Sequence, residues 1–208
     1  MKNRNIITMS LFLPLAILIA TPNLDFKSVD DSPKSDPRVE FTDLTSFADL
    51  GGAFNQDRGS VRLVALLSAS CGYCIKGYRY MRKLLDEIPD ERLKMYVVWE
   101  PMLSADTRKL SEKMANKAKD SRMVYQAWDE ARITGEIWTS VMLYADDRWN
   151  ATGPAWDVYY LYGADVEWTE DAPSVPDYWQ HQGAGSSELV LNYNVLKEKI
   201  EKFLEEAD

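Results

Sequence analysis

The chain has 208 residues, enough for one domain with a sizeable core plus extensions. Acidic residues number 33 against 24 basic ones, a formal net charge of −9. That balance excludes non-specific nucleic-acid binding, which needs Lys and Arg patches against phosphate, and its plain consequence is solubility.

Residues 1–20 read as a targeting segment. Lys2 and Arg4 make a basic start, and residues 6–20 form an apolar stretch of signal-peptide size, short for a membrane span. Both a cleaved signal peptide and an uncleaved N-terminal anchor fit, and either exports the rest of the chain. An extracytoplasmic location follows, periplasmic or on the outer face of the cell membrane. Residues 21–38 carry Pro22, Pro33 and Pro37 among Asp, Ser and Lys, which buries little and reads as a flexible linker. Residues 39–208 are the expected domain. Phe41, Leu44, Phe47 and Leu50 recur every three residues and predict a short helix, stopped by Gly51-Gly52.

The run Val61–Leu67 is apolar enough for a buried strand. Just after it stand Cys71 and Cys74, the only 2 cysteines in the chain, separated by Gly72 and Tyr73. A helical pattern follows, with Ile75, Tyr78, Met81, Leu84, Leu85 and Ile88 on one face. Strand, Cys-x-x-Cys, helix is the context of a redox motif. A sulfur at the start of a helix faces unsatisfied N–H groups and the positive end of the macrodipole, which favours its thiolate. The thiolate is the nucleophile of disulfide exchange. Lys76 and Arg79 add positive charge nearby. Cys71 is the candidate attacking thiol, and Cys74, one turn later, the candidate resolving thiol. A static disulfide is the structural alternative, although so small a loop gains little from chain entropy.

Leu93–Trp99 is the next strand, parallel to the first because a helix connects them. Glu100 ends it on the same side of the sheet as the cysteines, either as a possible proton relay for the buried thiol or as a solvated loop carboxylate. Residues 107–119 and 121–131 and a segment around Ile137, Trp138, Val141 and Met142 read as three helices. Trp128, Trp138 and Trp149 there either shape a substrate surface or complete a core. A strand over residues 156–162 with a hairpin partner over 165–168 comes next. A loop carrying Tyr178, Trp179, Gln180 and His181 then leads to a C-terminal helix with Val195, Leu196, Ile200, Phe203 and Leu204 on one face.

The cysteine motif in this context, together with residues 153–163 (Gly-Pro-Ala-Trp-Asp-Val-Tyr-Tyr-Leu-Tyr-Gly), resembles the thioredoxin superfamily. The resemblance implies an α/β, thioredoxin-like fold, a central mixed sheet flanked by helices, with a helical insertion at about residues 103–152. It implies that Pro154 is a cis-proline opening a strand beside the cysteine pair, and that Gly153, Pro154, Gly72 and Tyr73 contact the substrate chain. Two departures stand out. The buried Asp that thioredoxins carry in the strand before the motif is matched here by Ala65, and the tryptophan before the first cysteine by Ser70. The implied activity is thiol–disulfide exchange with protein thiols or disulfides and a membrane or extracytoplasmic redox partner. No cofactor and no metal is expected for it. The alternative is a soft-metal carrier holding Cu(I) between the cysteines, with His181, the single histidine, as a distant possible ligand or proton shuttle, or a non-catalytic adaptor.

Overall fold

The computed structural model describes residues 40–207; the expected targeting segment and linker lie outside the described residues. β1 (Phe41–Asp43) leads into α1 (Phe47–Gln56), and β2 (Val61–Leu67) into α2 (Gly72–Glu87). β3 (Leu93–Trp99), α3 (Arg108–Ala115), β4 (Met123–Trp128) and α4 (Ile133–Ala145) follow. The chain ends with β5 (Val158–Tyr162), β6 (Tyr178–His181), a 3-10 turn at Ser187–Leu189 and α5 (Tyr193–Glu206).

The six strands lie in the order β1-β4-β3-β2-β5-β6. The first four are mutually parallel, and β5 runs antiparallel to both β2 and β6. Alternation along each strand divides the core. Val61, Leu63, Ala65 and Leu67 of β2 face one cluster with α2, α3 and α5, while Val64 and Leu66 face another with α1 and α4. The mixed sheet between two helical layers is the architecture the resemblance implied.

Several local expectations are corrected. Residues 123–128 are a parallel strand, not a helix, so the insertion is not purely helical. Met123, Tyr125 and Ala127 recur every two residues, which is strand spacing, and the vacant edge of β3 accepts their backbone. The helix expected around Phe41 begins only at Phe47 and runs through Gly51-Gly52. Burying Phe47, Leu50 and Phe54 outweighs the glycines' cost. Residues 165–168 do not pair with β5. Trp168 stacks on Phe54 instead, ring centres 3.6 Å apart, and the hairpin partner is β6, so Tyr178 to His181 form a strand rather than a loop. Among the described residues no helix is long and apolar enough to cross a membrane.

Candidate functional site

β2 and β3 end in register at Leu67 and Trp99, and β5, running the other way, begins there opposite Leu66. Everything that follows β2 or precedes β5 therefore meets at one end of the sheet. The segment from Ser68 to the cysteines is fixed by Asp106 in the loop after β3. Its carboxylate accepts from Ser68 Oγ at 2.7 Å, the Ser70 amide at 2.8 Å and the Leu103 amide at 2.8 Å. Cys71 then caps α2 with extended backbone (φ −78, ψ 122), and its Sγ accepts from the Cys74 amide at 3.5 Å.

The two thiols are free and not equivalent. Cys71 is 7% exposed and lines a cavity of about 590 Å³, while Cys74 is fully buried. Tyr73, 66% exposed, Gly153, Pro154, Trp156 and Asp157 line the same cavity. The expected substrate-contacting residues Tyr73, Gly153 and Pro154 thus share a cavity with Cys71, and Gly72 stands exposed beside it. The expectation of a cis-proline opening a strand is not met: the described residues contain no cis peptide bond, and Pro154 stands four residues before Val158, where β5 begins. The chain bends beside the thiols at Asp157, whose φ of 55 lies in the left-handed region. Asp tolerates that conformation better than most residues.

Asp157 was not legible as a site residue. The sulfurs of Cys71 and Cys74 and an oxygen of Asp157 all lie within 4.8 Å of one another. Its Oδ1 accepts from Tyr159 Oη at 3.1 Å and Gln182 Nε2 at 2.8 Å. Gln182 also donates to the Tyr73 carbonyl at 2.8 Å, tying the loop after β6 to the residues between the cysteines. Burial, and secondarily the Asp157 charge, push the Cys74 thiol far up. Burial raises the Asp157 carboxyl as well, against the opposing effect of its donors. Gly77 makes this packing possible, since a Cβ there would meet Tyr159 Oη at 1.6 Å. A glycine one turn after Cys74 was the only sequence signal of that close approach.

Glu100 is not the solvated loop carboxylate considered above. It is fully buried, its Oε1 accepts from Thr134 Oγ1 at 2.9 Å and the Gly135 amide at 2.8 Å, and Oε2 has no partner. Burial, with the neighbouring Asp129 charge, pushes its carboxyl up to about 8. It holds the start of α4, and the carboxylate within 4.8 Å of both sulfurs is Asp157. His181 is buried at the end of β6. Its Nδ1 accepts from the Gly183 and Ala184 amides and its Nε2 faces the Ser186 carbonyl, so both nitrogens serve the loop. Among the described residues, the donor trio with metal-ligand spacing is Cys71, Cys74 and Asp157, without His181.

No family model matches the sequence, and no curated protein matches it. Solved structures do match in outline. A secreted Mycobacterium tuberculosis disulfide oxidoreductase homologous to E. coli DsbE is 8% identical over 71% of this chain and 85% of its own, with a TM-score of 0.40. A putative thiol:disulfide interchange protein DsbE from Chlorobium tepidum is 15% identical over 74% and 84%, with a TM-score of 0.44. A SCO1/SenC family lipoprotein from Bacillus anthracis is 12% identical over 72% and 84%, with a TM-score of 0.43. The assignment of fold rests on the chain's own topology. Four parallel strands joined by helices, two antiparallel strands beyond them, and a cysteine pair opening the helix after an inner strand make this a thioredoxin-like fold.

Proposed function

We propose that the domain is a thiol–disulfide oxidoreductase acting on protein thiols or disulfides. The observation that carries this reading is the asymmetry of the cysteine pair: one free sulfur at a helix start on a cavity wall, its mate one turn behind and sealed. Exchange needs that division of labour. Cys71 attacks a substrate disulfide, a bond forms between Cys71 and one substrate sulfur, and the other substrate sulfur leaves as a thiolate. Cys74 then attacks Cys71, closing the protein disulfide and releasing the second substrate sulfur. Run backwards, the same steps oxidise a substrate dithiol. The electrons pass between sulfurs, so the chemistry calls for no prosthetic group. Tyr73, Gly153, Pro154 and Trp156 offer the substrate chain a partly apolar wall beside Cys71, with Gly72 at its rim. The basic, then apolar, N-terminal residues support an exported setting with an extracytoplasmic redox partner.

The test is reduction of insulin disulfides with dithiothreitol as the electron source. The wild-type chain should accelerate it, and Cys71→Ser should lose about 100-fold or more of that activity, as expected for removal of a covalent nucleophile. Equal turnover by wild type and Cys71→Ser would sink the assignment.

A further inference from the structure

We propose that Asp157 is the proton acceptor for Cys74, and that it works from the wall of the substrate cavity rather than from the strand before the cysteine motif. This rests on the exchange reading above. The resolving step needs the Cys74 thiolate, yet Cys74 is fully buried and burial disfavours that charge. A thiol in such a place needs a base beside it. A carboxylate oxygen of Asp157 lies within 4.8 Å of the Cys74 sulfur and of Cys71 Sγ, where the new sulfur–sulfur bond forms.

The carboxylate is held for the task. Its amide donates to the Leu66 carbonyl at 2.7 Å, and its carbonyl accepts from the Gln182 amide at 3.1 Å, which pins the left-handed turn to β2 and to the loop after β6. Tyr159 and Gln182 hold Oδ1 from two directions. Tyr159 lies opposite Ala65 in the β2–β5 register, and the acid enters from the head of β5. Asp157 also lines the cavity, so a proton taken from Cys74 has a path to the leaving sulfur or to water. The titratable groups facing Asp157 are Cys71 and Cys74 on α2, Tyr159 on its own strand and His181 on β6. His181 has both ring nitrogens engaged by the loop backbone. The step balances. The Cys74 proton passes to Asp157 as the Cys74 sulfur attacks Cys71, the bond between Cys71 and the substrate sulfur breaks, and the substrate thiolate leaves with the electron pair. Asp157 then returns its proton to that thiolate or to solvent.

The reduced protein mixed with the aromatic disulfide dithiobis-nitrobenzoate resolves the two steps, because one coloured thiolate leaves on Cys71 attack and a second on Cys74 attack. In wild type the second release should rise with pH through the Asp157 carboxyl and then level off, as for a general base. Asp157→Asn, which keeps the left-handed turn, should slow the second release about tenfold or more near neutral pH, at the low end for loss of a general base. It should also replace the plateau by a steady rise toward alkaline pH, with the first release little changed. A wild-type second release that climbs with pH without a plateau overturns the proposal, and this needs no variant. So does Asp157→Asn releasing the second thiolate at the wild-type rate. Absence of a second release from the wild-type chain would instead sink the exchange reading itself.

Discussion

Each face of the sheet buries a carboxylate at the same end, and the two are treated differently. On the face covered by α2, α3 and α5, Asp157 accepts from Tyr159 and Gln182 beside the two sulfurs. On the face covered by α1 and α4, Glu100 has one oxygen bonded to the first turn of α4 and the other without a partner, beside a second acid, Asp129. The first carboxylate lies within 4.8 Å of both sulfurs, whereas the second is bonded to the first turn of α4. Burial with a raised carboxyl is common to both, so perturbation alone does not separate a working acid from a structural one. The partner does. The rest of each face follows suit. Next to the thiols the packing is largely aliphatic, and across the sheet it is an aromatic stack of Phe47, Phe54, Trp138, Tyr160, Tyr162 and Trp168.

The contrast can be broken most severely on the aromatic side. Trp138 stacks on Tyr160 at 5.4 Å, meets Phe47 and Trp168 edge-on, and donates to Tyr162 Oη. Trp138→Ala should cost about 4 kcal/mol in urea unfolding, from lost burial plus the cavity left behind. If the two faces are independent, the chains that remain folded should still release both thiolates at wild-type rates. A slowed second release would show that the stack also sets the thiol geometry.

On the thiol face the sharper probe is Gly77→Ala. The added Cβ meets Tyr159 Oη at 1.6 Å and Cζ at 2.3 Å, so either α2 or β5 must move. A loss of about 3 kcal/mol is expected, typical of severe overpacking. Adding Tyr159→Phe should recover little, because the ring carbon still clashes. A cost below about 1 kcal/mol would mean that the helix and strand can part easily, and that Asp157 is not held by their contact.

The smallest effect tests Glu100. Glu100 has an ordinary value of 4.5 and is pushed up to about 8 in the folded chain. Between those values the folded chain keeps a proton that the unfolded chain has released, so stability falls as pH rises through that window. Glu100→Gln removes the ionisation. Relative to it, wild type should lose about 2 kcal/mol between pH 5 and pH 8, less than the full shift implies because water reaching the site softens the cost. Parallel stability curves for the two proteins would show that Glu100 ionises freely.

The sequence by itself determined the local features: a buried strand into a cysteine-opened helix, the second parallel strand, the strand near residue 158 and the C-terminal helix. Each is written in the spacing of neighbours along the chain, which is where helix and strand periodicity act. Residues 123–128 show where that stops. Their alternation was visible, but the open edge of β3 that makes them a strand belongs to the folded sheet. The site divides in the same way. Cys71 and Cys74 could be read from two residues of separation, whereas Asp157, held by Tyr159 and Gln182, comes beside them only because β5 runs antiparallel beside β2 and starts where β2 ends. Pairing across a sheet brings together groups distant in the chain, and no local pattern records it. The tertiary structure alone therefore decided which of two buried acids, Asp157 or Glu100, stands beside the inner sulfur.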